Sequence, residues 1–187
     1  MRTRRFRLPG KRQLVRGFAT PSVVIVDVTE TRIERPKRRQ RAFYSGKQKC
    51  HTLKSQLVID AQTQQVICTF FGKGRRHDFK LFTASGIHFH PLTESLQDRG
   101  YQGLQKLQIH SRLPKKKSRG GHLTAQDKAD NRQLARERVG IEHVNRRLKV
   151  FRIRSGRYRN RRKRFGWRCN LIAALYNFEQ AQAVTLS

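Results

Sequence analysis

The feature that most restricts the fold is the run Val23 to Val26, four consecutive apolar residues followed at once by Asp27 in SVVIVDVTE. An apolar run of this kind without polar alternation is the pattern of a central strand covered on both faces, so helices or loops must lie above and below its sheet. Asp27 then sits at the strand's C-terminal end, where α/β sheets gather their ligands, which makes it a candidate metal ligand. Taken alone, it reads at least as well as an ordinary strand-end or turn aspartate.

Neighbouring segments supply the rest of such a sheet. KCHTLKSQLVID and QQVICTFF, separated by AQTQ, read as a hairpin whose first strand alternates through Leu53, Leu57 and Ile59. RRHDFKLFTASG reads as a short helix ended by Gly86, and LQIHSRLP as a further strand. TAQDKADNRQLARERVGIEHVNRRLKVF reads as one long helix with Thr124 as N-cap and Asp127 in the capping-box position, and RRKRFGWRCNLIAALYNF as a final helix. Strands, a helix, more strands and long C-terminal helices make a mixed α/β layer architecture. Residues 1–20, with Pro9 and Gly10 and no sustained periodicity, read as a flexible basic arm or the remnant of an upstream segment. The fold is expected to begin near Pro21 and fill residues 21–180, leaving 181–187 as a tail.

Charge names the class of partner. Forty-three Lys and Arg against twelve Asp and Glu give a formal +31 over 187 residues, which calls for a polyanion. Basic groups that displace counterions from phosphates bind nucleic acid with strong salt dependence and little sequence selectivity. On charge alone a structural RNA-binding protein fits as well, one that would be indifferent to the loss of Asp27. No apolar stretch approaches the roughly 18 to 20 residues that span a bilayer, so no membrane partner is expected. Cys50, Cys68 and Cys169 are widely spaced without a CxxC pair, which argues against a zinc knuckle or disulfide framework and for a reduced, cytoplasmic setting.

Two further acids keep company with Asp27. Asp98 opens DRGYQGL, a polar turn between Leu96 and Leu104, where it faces the same site from a second strand or simply forms the turn. Glu142 lies within the long helix, on a stripe with Arg138 and Lys149 beside the core series Leu134, Ile141, Val144 and Leu148. Its bland reading is an i,i+4 ion pair with Arg138 or Arg146. Three carboxylates from two strands and a helix can instead hold two Mg2+ ions, hard cations that prefer oxygen, and such a pair clamps both oxygens of an in-line phosphoryl transfer.

The segments DVTETRIERP, YSGKQKCHTLK, DRGYQGL, PKKKSRGG and RVGIEHVNRRLKVFRI, the last continuing into RYRNRRKRFGWRCNLIAALYNF, stand in this order. From Asp27 to Phe178, about four-fifths of the chain, the sequence resembles bacterial insertion-sequence transposases of the DDE superfamily. The resemblance implies an RNase-H-like (retroviral-integrase-like) mixed sheet flanked by helices. It implies catalytic, metal-binding roles for Asp27, Asp98 and Glu142, with two Mg2+ ions for which Mn2+ can substitute. Arg138 and Lys149 match the signature basic residues around the glutamate, and Lys149 would contact DNA near the cleaved phosphate. Ala135 stands where that signature has tyrosine, and Val28 follows Asp27 where a small residue is usual. The implied partners are double-stranded DNA, as element ends and target, and further copies of the chain; the implied location is the bacterial nucleoid. Relatives carry an N-terminal helical recognition domain where this chain has a short basic segment, so the alternative expectation is a catalytically inactive DNA-binding fragment.

Other residues receive lesser roles. Arg146, Lys115, Lys116, Arg161 and Arg162 lie in basic runs dense enough to read as phosphate contacts. His77 and Asp78 resemble a recurrent family pair that positions the site, though an N-cap role for Asp78 fits equally. His88 and His90 lack further ligands at metal spacing and read as surface residues. Trp167 and Tyr176, at helical spacing with Leu171 and Leu175, read as core rather than as base-stacking residues.

Overall fold

A computed structural model of the chain describes residues 6–15, 20–104, 107, 110–117 and 120–185. In chain order the elements are β1 (Val23–Arg32), α1 (Gln40–Phe43), β2 (Tyr44–Ser45), β3 (Cys50–Asp60), β4 (Val66–Lys73) and α2 (Asp78–Ser85). There follow β5 (Glu94–Leu96), β6 (Ser111–Arg112), α3 (Ala125–Glu137), α4 (Val139–Lys149), α5 (Arg152–Ser155) and α6 (Phe165–Thr185).

β1 is the axis of the sheet. It pairs antiparallel with β3 from Val24↔Asp60 to Arg32↔Thr52, and parallel with β5 only from Val23↔Glu94 to Ile25↔Leu96. β4 and β2 pair antiparallel with β3, and β6 continues the sheet parallel to β5. An antiparallel β4–β3–β1 hand extended by parallel β5 and β6, with helices packed on it, is the RNase-H-like arrangement. The apolar run of β1 is covered on both faces, as its composition predicts. Ile25, with Leu57 and Ile59 of β3, packs on Ile141, Val144 and Leu148 of α4 and Ile172 of α6. Val24 and Val26 pack on the opposite face with Val58, Ile67, Phe82 and Tyr101.

Local chemistry sets the helix ends. Gly86, at φ 58°, closes α2 in the left-handed conformation that glycine adopts without steric cost. Thr124 and Asp127 form a reciprocal capping box at the start of α3. α6 is fastened to the sheet by Asn177, whose Oδ1 accepts from the Val66 amide and whose Nδ2 donates to the Val66 carbonyl, both at 2.8 Å.

Several expectations are corrected. The long helix is two helices broken at Arg138, which at φ −83°, ψ −5° ends α3 and begins α4. β-Branched Val139 and Gly140 follow directly, and both disfavour an uninterrupted helix at that point. Residues 6–15 are not a loose arm: Lys11–Leu14 form a 3-10 turn, the Gly10 amide donates to the Ile67 carbonyl at 2.8 Å, and Leu14 is fully buried against Val58 and Ile67. Packing therefore begins before Pro21. Residues 1–5 and 16–19 of the expected arm, and 186–187 of the tail, lie outside the described residues, as do 108 and 109 of the expected LQIHSRLP strand. Tyr176 enters the core, but Trp167 is 77% exposed and Leu171 faces outward as well. Cys68 and Cys169 are free and buried, and burial pushes the Cys68 thiol up to about 12, which leaves it inert.

If residues 6–15 are integral to the fold, Leu14→Ala should destabilise the chain by roughly 2 to 4 kcal/mol, the cost of emptying a fully buried leucine site. Urea unfolding monitored by circular dichroism measures it, and an unchanged midpoint would return this segment to the status of an arm.

Candidate active site

The parallel pairing of β1 with β5 ends at Ile25↔Leu96, and the two aspartates stand two residues beyond it on each strand. Asp27 thus shares the face of Ile25, and Asp98 the corresponding position past Leu96. Asp27 is not at the end of its strand as expected, because antiparallel β3 carries β1 on to Arg32. It is at the end of the parallel pairing, where the sheet opens between β1 and β5. This is the crevice in which α/β sheets bind ligands.

Asp98 is fixed by its own turn. It caps a 3-10 turn over Arg99–Tyr101, its Oδ1 accepting the Gly100 amide at 2.8 Å. Gly100 has no room for a side chain: a Cβ there would lie 2.8 Å from Asp78 Oδ2 and 3.0 Å from Asp98 Oδ1. Asp78 and Asp98 therefore crowd the same point from two elements. Asp78 is the first residue of α2 rather than its N-cap; His77 occupies the cap position and makes no side-chain cap bond. The other Asp78 oxygen accepts from Lys54 Nζ at 2.6 Å, and Lys54 also lies 3.8 Å from Glu30.

The α4 side of the crevice answers Asp27 directly. Arg138 Nη2 lies 3.7 Å from Asp27 Oδ1, and Asn145 Nδ2 donates to Asp27 Oδ2 at 3.0 Å. Burial pushes the Asp27 carboxyl above its ordinary value; Arg138 pulls it down, and the charges of Asp98 and Asp78 push it up again. Beneath these acids Tyr101 is fully buried, and burial together with Asp27, Asp78 and Asp98 raises its phenol well above the tyrosine range. Asn145 Oδ1 and Arg138 Nε are buried without a hydrogen-bond partner among the described residues.

Glu142 is exposed on the first turn of α4. It falls between Arg138 and Asn145 at i,i+4,i+7 spacing, so the two residues that touch Asp27 flank it on one side of the helix. The i,i+4 ion pairs with Arg138 and Arg146 do not form, and Glu142 has no hydrogen-bond or ion-pair partner among the described residues. Asp27, Asp98 and Asp78 are brought into electrostatic range of one another; Glu142 is not among the charges acting on Asp27. Among the described residues no three potential ligands lie close enough together to hold an ion.

The basic candidates are spread over the surface. Lys149 and Arg146 are exposed on α4, and Lys116 is exposed in the loop before α3. Lys115 is paired with Asp127 at 2.6 Å. Arg161 is exposed, and the Arg162 guanidinium lies 4.8 Å from the Phe43 ring centre. The sequence reading missed Asn145 and Lys54. Asn145 was detectable as an amide on the apolar side of α4, buried beside Val144; Lys54, on the strand face opposite Leu53 and Leu57, gave no such signal.

An RNase-H-like sheet whose acids meet beyond its central parallel strands is the architecture of the DDE class. The DDE superfamily endonuclease family matches residues 26–177, and the chain belongs to it. It is also 51% identical over 179 residues to the "Probable transposase for insertion sequence element IS702" of Microchaete diplosiphon, covering 96% of this chain and 65% of that protein. The chain thus spans somewhat less than two-thirds of that relative's length. No solved structure matches. No helix among the described residues is long and apolar enough to cross a membrane.

The Asp27 environment yields a signed prediction. Its folded pKa lies above the ordinary 3.8, so the native state binds that proton more tightly than the unfolded chain, and stability falls as pH rises through that window. In divalent-free buffer Asp27→Asn should therefore raise the unfolding temperature at neutral pH, and the gain should shrink as pH falls toward 3.8. A variant less stable than wild type at neutral pH would show that Arg138 and Asn145 more than compensate the half-buried charge.

Proposed function

We propose that the chain cleaves and joins DNA strands by metal-dependent phosphoryl transfer, as part of the transposition of an insertion sequence. The observation that carries this reading is the unengaged Glu142 carboxylate beside the two residues that hold Asp27. In a chain of twelve acids and forty-three Lys and Arg, Glu142 alone among the acids of the described residues has neither a hydrogen bond nor an ion pair, and that calls for another explanation.

The residues suit a hard divalent cation. Burial and two neighbouring carboxylates leave Asp27 short of positive charge, Arg138 offsets this only in part, and the buried Asn145 Oδ1 is a neutral oxygen with no partner among the described residues. Asp27 and Asp98, with Glu142 from α4, would hold two magnesium ions. Bound there, such a pair supplies Lewis acidity to both the attacking and the leaving oxygen of an in-line displacement. Asn145 and Arg138 fix the Asp27 carboxylate, and Lys54 holds Asp78 so that only its second oxygen faces Asp98. Lys149 and Arg146, exposed on the same helix, would place the DNA backbone against the acids, with Lys115, Lys116, Arg161 and Arg162 as outlying phosphate contacts. His77 and Asp78 act as positioning residues. Copies of the chain assembled on two DNA ends would complete the reaction.

Cleavage of pre-nicked or supercoiled plasmid in Mg2+ or Mn2+, compared at equal DNA occupancy, tests the proposal. Asp98→Ala and Glu142→Gln should each reduce cleavage by about 100-fold or more while salt-dependent binding persists. Undiminished cleavage by either variant would sink the assignment of that residue. Binding without metal-dependent cleavage by wild type would favour the DNA-binding fragment.

A further inference from the structure

Trp167 is the single tryptophan of the chain, and the fold turns it outward at 77% exposure. Gly166 makes this possible. A Cβ at that position would lie 2.8 Å from the Phe71 ring, so the glycine lets the start of α6 close on β4 with Phe165 buried beneath it and Trp167 left outside. The indole stands between two open clefts. One, of about 750 Å³, lies between residues 6–11, the β4 edge and α6; the other, of about 540 Å³, lies between Phe43, β4 and the start of α6. Both clefts are basic and lined by no described acid: Arg7 and Lys11 in the first, Lys73, Arg76, Arg162 and Lys163 in the second. Lys73 and Arg162 both stack on Phe43, with the charged groups 5.5 and 4.8 Å from the ring centre.

We propose that this surface binds unpaired nucleotides of DNA, one base stacking on the Trp167 indole while the basic residues on either side hold the flanking phosphates. An exposed aromatic face between cationic grooves is the arrangement by which single strands are held without reading their sequence. A base inside a duplex keeps both faces covered by its neighbours and offers nothing to the indole. A protein partner is disfavoured by the charge, because the centres of protein interfaces are depleted in charged residues and this aromatic is ringed by them. The inference shares with the proposed function only the premise that DNA is the partner; it requires neither metal nor cleavage.

As the sole tryptophan, Trp167 reports on its own site in the unaltered chain. In metal-free buffer a short oligothymidylate should quench its emission. An abasic strand of equal length and a blunt duplex, each bound as judged by anisotropy of an end label, should leave the emission near its starting level. Trp167→Ala should weaken oligothymidylate binding about five-fold or more, the loss of one stacked base, and leave abasic-strand binding unchanged; Trp167→Phe should restore part of that loss. Bound oligothymidylate without quenching overturns the proposal, and so does equal quenching by the abasic strand or the duplex. Emission that shifts with protein concentration alone would identify a second copy as the occupant and also overturn it. Absent quenching with intact metal-dependent cleavage counts against stacking alone, and the reverse pair of results against the proposed function alone.

Discussion

The structure is organised around a carboxylate that solvation alone would keep at the surface. Asp27 lies in the central strand, on the face that packs against α4, and its charge is disfavoured there by burial and by two neighbouring acids. A half-buried carboxylate with no partner beside two other acids would favour its protonated form. Here the fold supplies partial answers instead: a guanidinium at 3.7 Å, farther than a hydrogen bond, and one amide at 3.0 Å. The early end of the β1–β5 pairing opens the sheet beside it, and Arg138, between α3 and α4, turns its side chain toward it. Such incomplete compensation costs stability, a trade that is common where a site has work to do.

The distribution of acids makes the same point across the molecule. Four of the twelve, Asp27, Glu30, Asp78 and Asp98, gather around the crevice and Lys54. Others are engaged in local structure: Asp60 bonds the turn amides of Gln62 and Thr63, Asp127 caps α3, and Glu94 and Glu137 share Arg112. The acids thus neutralise little of the basic surface. Negative charge is concentrated in one crevice while the rest of the surface stays strongly positive, a separation that sets up opposite potentials at the two places.

Much of the architecture could be read from the sequence because its signals are local. The apolar run before Asp27, the β-branched strands around AQTQ, the Thr124–Asp127 box and Gly86 each act through neighbours a few residues away, and each emerges as expected. What could not be read depends on distant partners. The helical periodicity runs through Arg138 without interruption, and the low helix propensity of Val139 and Gly140 is too weak a signal to place the break by itself; that Arg138 then faces Asp27, far off in sequence, only the fold reveals. The pairing of Lys54 with Asp78, and the docking of Leu14 under the sheet, are likewise tertiary facts. Trp167 fits an apolar helical stripe by spacing, yet Gly166 and the Phe71 ring decide that the stripe faces out at that point.

Glu142 joins the two levels. Sequence spacing alone offered it Arg138 and Arg146 as ordinary i,i+4 partners, worth a few tenths of a kcal/mol each on an exposed helix. Arg138 instead pairs with Asp27. The docking of α4 therefore does two things at once. It gives Asp27 the two groups that tolerate its charge, and it leaves the glutamate between those groups without a partner among the described residues.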